Sequence, residues 1–144
     1  MLDASGFLQN MILVLKQNEQ LSDLNFIVGF PGSKKPSPLT KNYVVLGINS
    51  SKEEKIEVYT EEETPTLKYN RRDTARIRFD IFVPETSNGI DCYEIFSTLS
   101  GHVMKYSSDY KFITAGCDTV TYERDEGAFV LNAYMDVEKY YLKK

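Results

Sequence analysis

The sequence predicts an α+β fold of two layers, a mainly antiparallel or mixed sheet with two helices packed on one face. Three observations predict it. Ala75, Ile77, Phe79, Ile81 and Val83 alternate with Thr74, Arg76, Arg78 and Asp80, the period of two that marks a strand with one buried face and one polar face. After the turn signal Ser87-Asn88-Gly89 the period changes, and Ile90, Cys92, Ile95, Phe96, Leu99 and Val103 fall on one helical stripe. The rest of the chain alternates short strand-like runs with turns and leaves no room for repeated βαβ crossovers, so the sheet is not a parallel one. A chain of 144 residues suits one domain, 1–144, with enough length to bury a full core.

The elements follow in order. Leu2–Gln17 reads as the first helix, with Asp3 or Ser5 as its cap and Leu8, Ile12 and Leu15 on one face. Leu21-Ser22-Asp23 is a connector, and Asn25–Phe30 a short strand. Pro31 to Pro38 holds three prolines, a glycine and two lysines, Lys34 and Lys35. Such a segment is stiffened toward extended conformations. The arm 31–40 is therefore either a protrusion that touches a partner or a stiff connection across one edge of the sheet. Tyr43–Ile48 is nearly continuously apolar, as a strand covered on both faces would be. Asn49–Glu54 reads as a polar turn and Lys55–Tyr59 as a further strand.

An acidic loop, 53–66, follows. Glu53, Glu54, Glu57, Glu61, Glu62 and Glu63 gather there, but consecutive glutamates point in different directions and no Asp/His pattern completes a coordination shell. The stretch reads as a solvated acidic surface or as an edge that faces a basic patch on a neighbouring subunit. Leu67–Asp73 leads into the central strand, which Pro84 ends because proline has no N–H for a ladder. Arg71, Arg72, Arg76 and Arg78 are all the arginines but Arg124. They form either a polar sheet face or a patch for carboxylates, and the acidic stretch makes a contact between subunits the favoured form of the second reading.

The second helix spans about Ile90–Tyr106 behind a Ser87 or Asn88 cap. Gly101 costs it about 1 kcal/mol against alanine, which close packing of helix on sheet would explain. Tyr110–Ala115 is a strand, Gly116-Cys117-Asp118 a turn, and Thr119–Tyr122 its continuation or a hairpin partner. Glu123–Gly127 is a hairpin turn before the last strand, Ala128–Val137, and a polar tail runs from Asp136 onward.

Composition bounds the function. A net charge of −4 and a pI near 5.1 argue against binding nucleic acid by charge. No apolar run reaches the roughly 18 residues of a membrane helix, and Phe7–Leu15 lacks the basic flank of a signal peptide. Cys92 and Cys117 show no metal-type spacing and read as two reduced thiols, with a disulfide as the alternative. His102 is the only histidine. On one helix it lies about 15 Å of rise from Cys92, so these two cannot form a nucleophile–base pair. No phosphate-loop, dinucleotide or zinc-protease motif is present. The expectation is a protein that is not an enzyme and needs neither metal nor cofactor. Its ten tyrosines hint at subunit contacts.

One resemblance gives this outline a role. The basic, proline-bearing approach Lys34-Lys35-Pro36-Ser37-Pro38-Leu39-Thr40-Lys41 leads to the strand ending Val44-Val45-Leu46-Gly47-Ile48. The arginine-alternating strand Arg76-Ile77-Arg78-Phe79-Asp80-Ile81-Phe82-Val83-Pro84 precedes a helix opened by Gly89 and carrying Cys92-Tyr93-Glu94-Ile95-Phe96. With the leading helix and the terminal hairpin, this order resembles the tail terminator (tail completion) proteins of long-tailed phages and phage-tail-like bacteriocins. The resemblance covers most of the chain, and the acidic insertion 53–66 is longer than its pattern. It implies a homo-oligomeric ring, typically a hexamer, that docks on the last ring of the tail tube and stops its polymerisation. It further implies a surface for the head connector, contact with the sheath protein in contractile tails, no active site, and a place in a virion or tail-like particle assembled in the bacterial cytoplasm. Lys34, Lys35, Arg71, Arg72, Arg76 and Arg78, set against Glu57 and Glu61–Glu63, are the expected contact residues. The competing readings are another structural protein of such a particle, a head–tail connector or baseplate component, and then a small enzyme.

Overall fold

The computed structural model describes residues 3–30, 35, 39–59, 67–105 and 110–142, with the backbone alone at 57–59, 67–70 and 142. The described residues form helix α1 (Ala4–Lys16), strands β1 (Asn25–Val28), β2 (Tyr43–Tyr59) and β3 (Leu67–Pro84), helix α2 (Asp91–Lys105), and strands β4 (Lys111–Cys117), β5 (Thr121–Glu123) and β6 (Ala128–Leu142). The sheet runs β1-β2-β3-β6-β4, and β5 also pairs with β6. β1 lies parallel to β2 and every other pair is antiparallel. The fold is therefore an α+β sandwich on a mixed sheet.

Both helices lie on one face because both carry one apolar stripe. Leu8, Met11, Ile12 and Leu15 of α1 join Cys92, Phe96, Leu99 and Val103 of α2 over Val44 and Leu46 of β2, the Ala75–Val83 alternation of β3, and Leu131, Ala133, Met135 and Val137 of β6. Asp3 caps α1 by accepting the Gly6 N–H, and Asn88 accepts the Ile90 N–H ahead of α2, each relieving a donor that the helix itself cannot satisfy. Ile90 departs from the expected stripe: it precedes the first helical turn and is 56% exposed. Gly101 faces open space, so packing does not explain it.

The opposite face of the sheet carries apolar residues as well. Leu39, Val45, Phe82, Ala128 and Val130 form a second apolar cluster there. Lys35 lies on it, its Nζ 4.1 Å from the centre of the Phe82 ring and 3.6 Å from a Glu126 carboxylate oxygen. Lys35 of the proline-bearing segment thus rests on the molecule's own sheet.

Three strands are longer than their apolar patterns. Asn49–Glu54 is not a turn: β2 runs through it, with an irregularity between Ile48 and Ser50, and Ser50–Glu54 pair with Arg76–Arg72. Leu67–Asp73 belongs to β3 and the stretch after Val137 to β6, where Asp73 pairs with Lys139 and Arg71 with Tyr141. Polar residues serve in these strands because the ribbon extends past the helix-covered core, where neither face has to be apolar. β5 continues the line of β4: Cys117 pairs with Ala133 and Thr121 with Val130, so together they form one interrupted strand along β6. Gly127, at a φ of 59°, makes the turn between β5 and β6 as only glycine does without cost.

Candidate assembly surface

The charged residues meet on the ribbon formed by β2, β3 and β6. Antiparallel pairing places side chains of neighbouring strands about 5 Å apart on the same face, and the register sets opposite charges together. Glu54 is the partner of Arg72 and Arg76 that of Asp136, with Lys55 opposite Arg71 as the like-charged exception. On the face away from the helices, Arg72 Nε donates to Glu54 at 3.2 Å and Lys52 approaches the other Glu54 oxygen at 2.7 Å. Arg76 makes a fork to Asp136 at 2.8 and 3.0 Å, Thr114 donates to the same carboxylate at 2.8 Å, and the guanidinium lies 4.0 Å from the centre of the Tyr134 ring. Such bidentate pairs fix orientation as well as charge.

Arg78 is more enclosed. Its Nε lies 2.6 Å from Asp80, and it also donates to the Gly29 carbonyl. Asp80 is fully buried although it lies on the polar face of the alternation. Burial pushes its carboxyl above the usual aspartate range, with the pull of Arg78 and then Lys35 working against that. Gly47 makes the arrangement sterically feasible: a methyl group there would stand 2.6 Å from the Gly29 oxygen and collide with the Arg78 guanidinium.

On the helix-bearing face, Arg71 lies 3.4 Å from Asp73, 3.8 Å from Glu53 and 3.5 Å from the centre of the Tyr141 ring. Lys139 sits over the rings of Tyr141 and Tyr110. The carboxylates respond to these partners. Hydrogen bonds from Lys52 and then Arg72 lower Glu54 to about 2, and the Arg76 fork, helped by Thr114, lowers Asp136 below its ordinary value.

The residues expected at a contact between subunits therefore sort as follows. Arg71, Arg72, Arg76 and Arg78 all have acidic partners inside the chain, and Glu53 and Glu54, part of the acidic stretch expected to face them across an interface, lie on the adjacent strand. Glu57 lies on β2 with its side chain outside the described residues, and Lys34, Glu61, Glu62 and Glu63 lie outside them altogether. Lys35 is folded down with its side chain 4% exposed. Asp136, Tyr134, Thr114 and Tyr141 were not foreseen as members of this surface, although the alternation of β6 places Asp136 on the arginine side.

No protein family and no curated protein matches the chain.

Other chemistry is sparse in the described residues. His102 Nε2 lies 3.0 Å from the Val14 carbonyl and ties α2 to α1. Cys92 is buried and Cys117 exposed, both as free thiols. Burial, followed by the charge of Asp91, pushes the Cys92 thiol up to about 11, which leaves it a poor nucleophile. No group of three His, Cys, Asp or Glu side chains stands where a metal could be held, and no helix is long and apolar enough to cross a membrane, both among the described residues. A shallow trough of about 490 Å³ lies over the ribbon, lined in part by Ser50, Lys52, Thr74, Arg76, Ile113 and Asp136. The Arg76–Asp136 pair forms part of its wall.

Proposed function

We propose that this chain is a structural subunit of a phage-type tail, a terminator that closes into a ring, typically a hexamer, on the end of the tail tube. In this reading it has no active site. It stops tube polymerisation, presents a surface to the head connector and, in a contractile tail, to the sheath, and resides in the virion or tail-like particle.

The observation that supports this most is the ribbon of β2, β3 and β6. It extends beyond the part of the sheet that the helices cover, and ion pairs such as Arg72 with Glu54 and Arg76 with Asp136 tie its strands together. An assembly protein of this kind needs a stiff platform that holds its shape before its partners arrive, since preorganisation lowers the cost of association. The resemblance in element order supplies the rest. Removing the gene from the particle-producing strain tests the role: the proposal predicts tubes of uncontrolled length that fail to join heads. Tubes of normal length with heads attached would contradict it.

A further inference from the structure

Among the described residues the sheet ends on two open edges that fit each other. On one side, β4 and β5 together run from Lys111 to Glu123 along β6. On the other side, β1 covers only Tyr43–Leu46 of β2, and β2 continues to Tyr59 with no strand beyond it among the described residues. The ladders show that these edges stand at the same height: Thr114 is level with Asp136, Arg76 and Ser50, and Cys117 with Ala133, Phe79 and Leu46. Three successive antiparallel pairings separate β2 from β4, so the two strands run in opposite directions. A second copy placed beside the first, helices on the same side, brings its uncovered β2 edge antiparallel to β4.

Edge strands are commonly blunted by proline, buried charge or a covering element. β4 contains no proline and no buried residue, and it carries Ile113 at 48% exposure. Its defences are Lys111 at one end and the irregularity between Phe112 and Thr114. On β2, Ser50, Lys52, Glu53 and Lys55 are exposed, and Lys52 is drawn back onto Glu54.

We infer that β4 of one copy pairs with the Ser50–Lys55 edge of β2 in the next, and that this strand pairing is the contact that joins successive subunits; the inference rests on the ring reading above. Side chains keep their faces only when the strands slide by an even number of residues. With no slide, Lys111 meets Lys52. A slide of two residues, about 7 Å, sets Lys111 opposite Glu54, and charge favours that register. Pairing unlike edges uses both open sides of every copy, whereas β4 against β4 in a two-fold dimer leaves every β2 edge bare. An interface of unlike surfaces is also the kind that closes into rings.

Cysteine cross-linking of the full chain in a Cys117→Ser background tests this. Thr114→Cys combined with Lys52→Cys reports the favoured register, and Thr114→Cys with Ser50→Cys the unslid one. Oxidation of one of these double variants is expected to give a ladder of covalent oligomers ending at the ring number, while each single variant stays monomeric under denaturation. Ile113→Lys, at an exposed position, is expected to reduce the native mass to that of one 16.5 kDa chain with an unchanged circular dichroism spectrum. A ring that gives no ladder and survives Ile113→Lys would overturn the edge pairing and leave the ring reading standing. Covalent dimers from Thr114→Cys alone would overturn it in favour of a two-fold contact. A wild-type chain that is monomeric at every concentration would overturn the ring reading and this inference with it.

Discussion

Two glycines show how differently the same residue can be constrained. Gly101 sits inside α2 with nothing near its missing side chain, so its only effect is the entropy it adds to the unfolded chain. Gly101→Ala is expected to raise stability by about 1 kcal/mol. Gly47 is the opposite case, since a methyl there displaces Arg78 from Gly29 and Asp80. Gly47→Ala is expected to lower stability by about 1–3 kcal/mol, and urea unfolding of the two variants checks the opposite signs. The thiols differ in the same way. Cys117 is exposed and Cys92 buried, so a thiol reagent is expected to label one site per native chain quickly and the second only on unfolding. Two fast sites, or none, would contradict the assignment.

At the scale of elements, the ion pairs of the ribbon give stability a direction in pH. Glu54 and Asp136 are held below their ordinary values of 4.5 and 3.8. A carboxylate depressed in the folded state stabilises the fold above its unfolded value, and that contribution fades as pH falls through the folded one. Stability is therefore expected to decline as pH falls from about 4.5 toward 2. Asp80, pushed up by burial, has the reverse sign: its ionisation weighs against the fold as pH rises above its unfolded value, and that term partly offsets the other two in the acid range. Asp136→Asn is expected to flatten the acid limb in chemical unfolding measured across that range; an unchanged limb would remove the Arg76–Asp136 pair from the account.

The same ribbon separates what the sequence made legible from what it did not. Ala75 to Val83 and the α2 stripe were readable because burial imposes a period on the residues that face a core. Asn49–Glu54 and the end of β6 were not, because polar residues in a strand past the core carry no period, and only pairing with β3 holds them extended. The arginines are visible as a group, and the alternation of β3 places Arg76 and Arg78 on its polar side, where the structure has them; Arg71 stands on the helix-bearing side. Their partners were not foreseen, because a contact such as Arg76 with Asp136 joins residues far apart in the chain and depends on which strands become neighbours. The disposition of Lys35 depends in the same way on Phe82 and Glu126 arriving from two other elements.

For the whole molecule, the helices complete one face, Lys35 and Leu39 lie on part of the other, and the long ribbon and the two sheet edges remain. A chain with its arginines already matched internally does not need them to hold a neighbour, which shifts the expected contact from charged faces to strand edges. Light scattering on the eluting peak of the purified chain, across a range of concentration and salt, tests the central claim most directly. The account predicts a closed oligomer, about 99 kDa for the hexamer of 16.5 kDa chains, whose mass changes little with salt because backbone pairing joins it. A mass of one chain under every condition would contradict it.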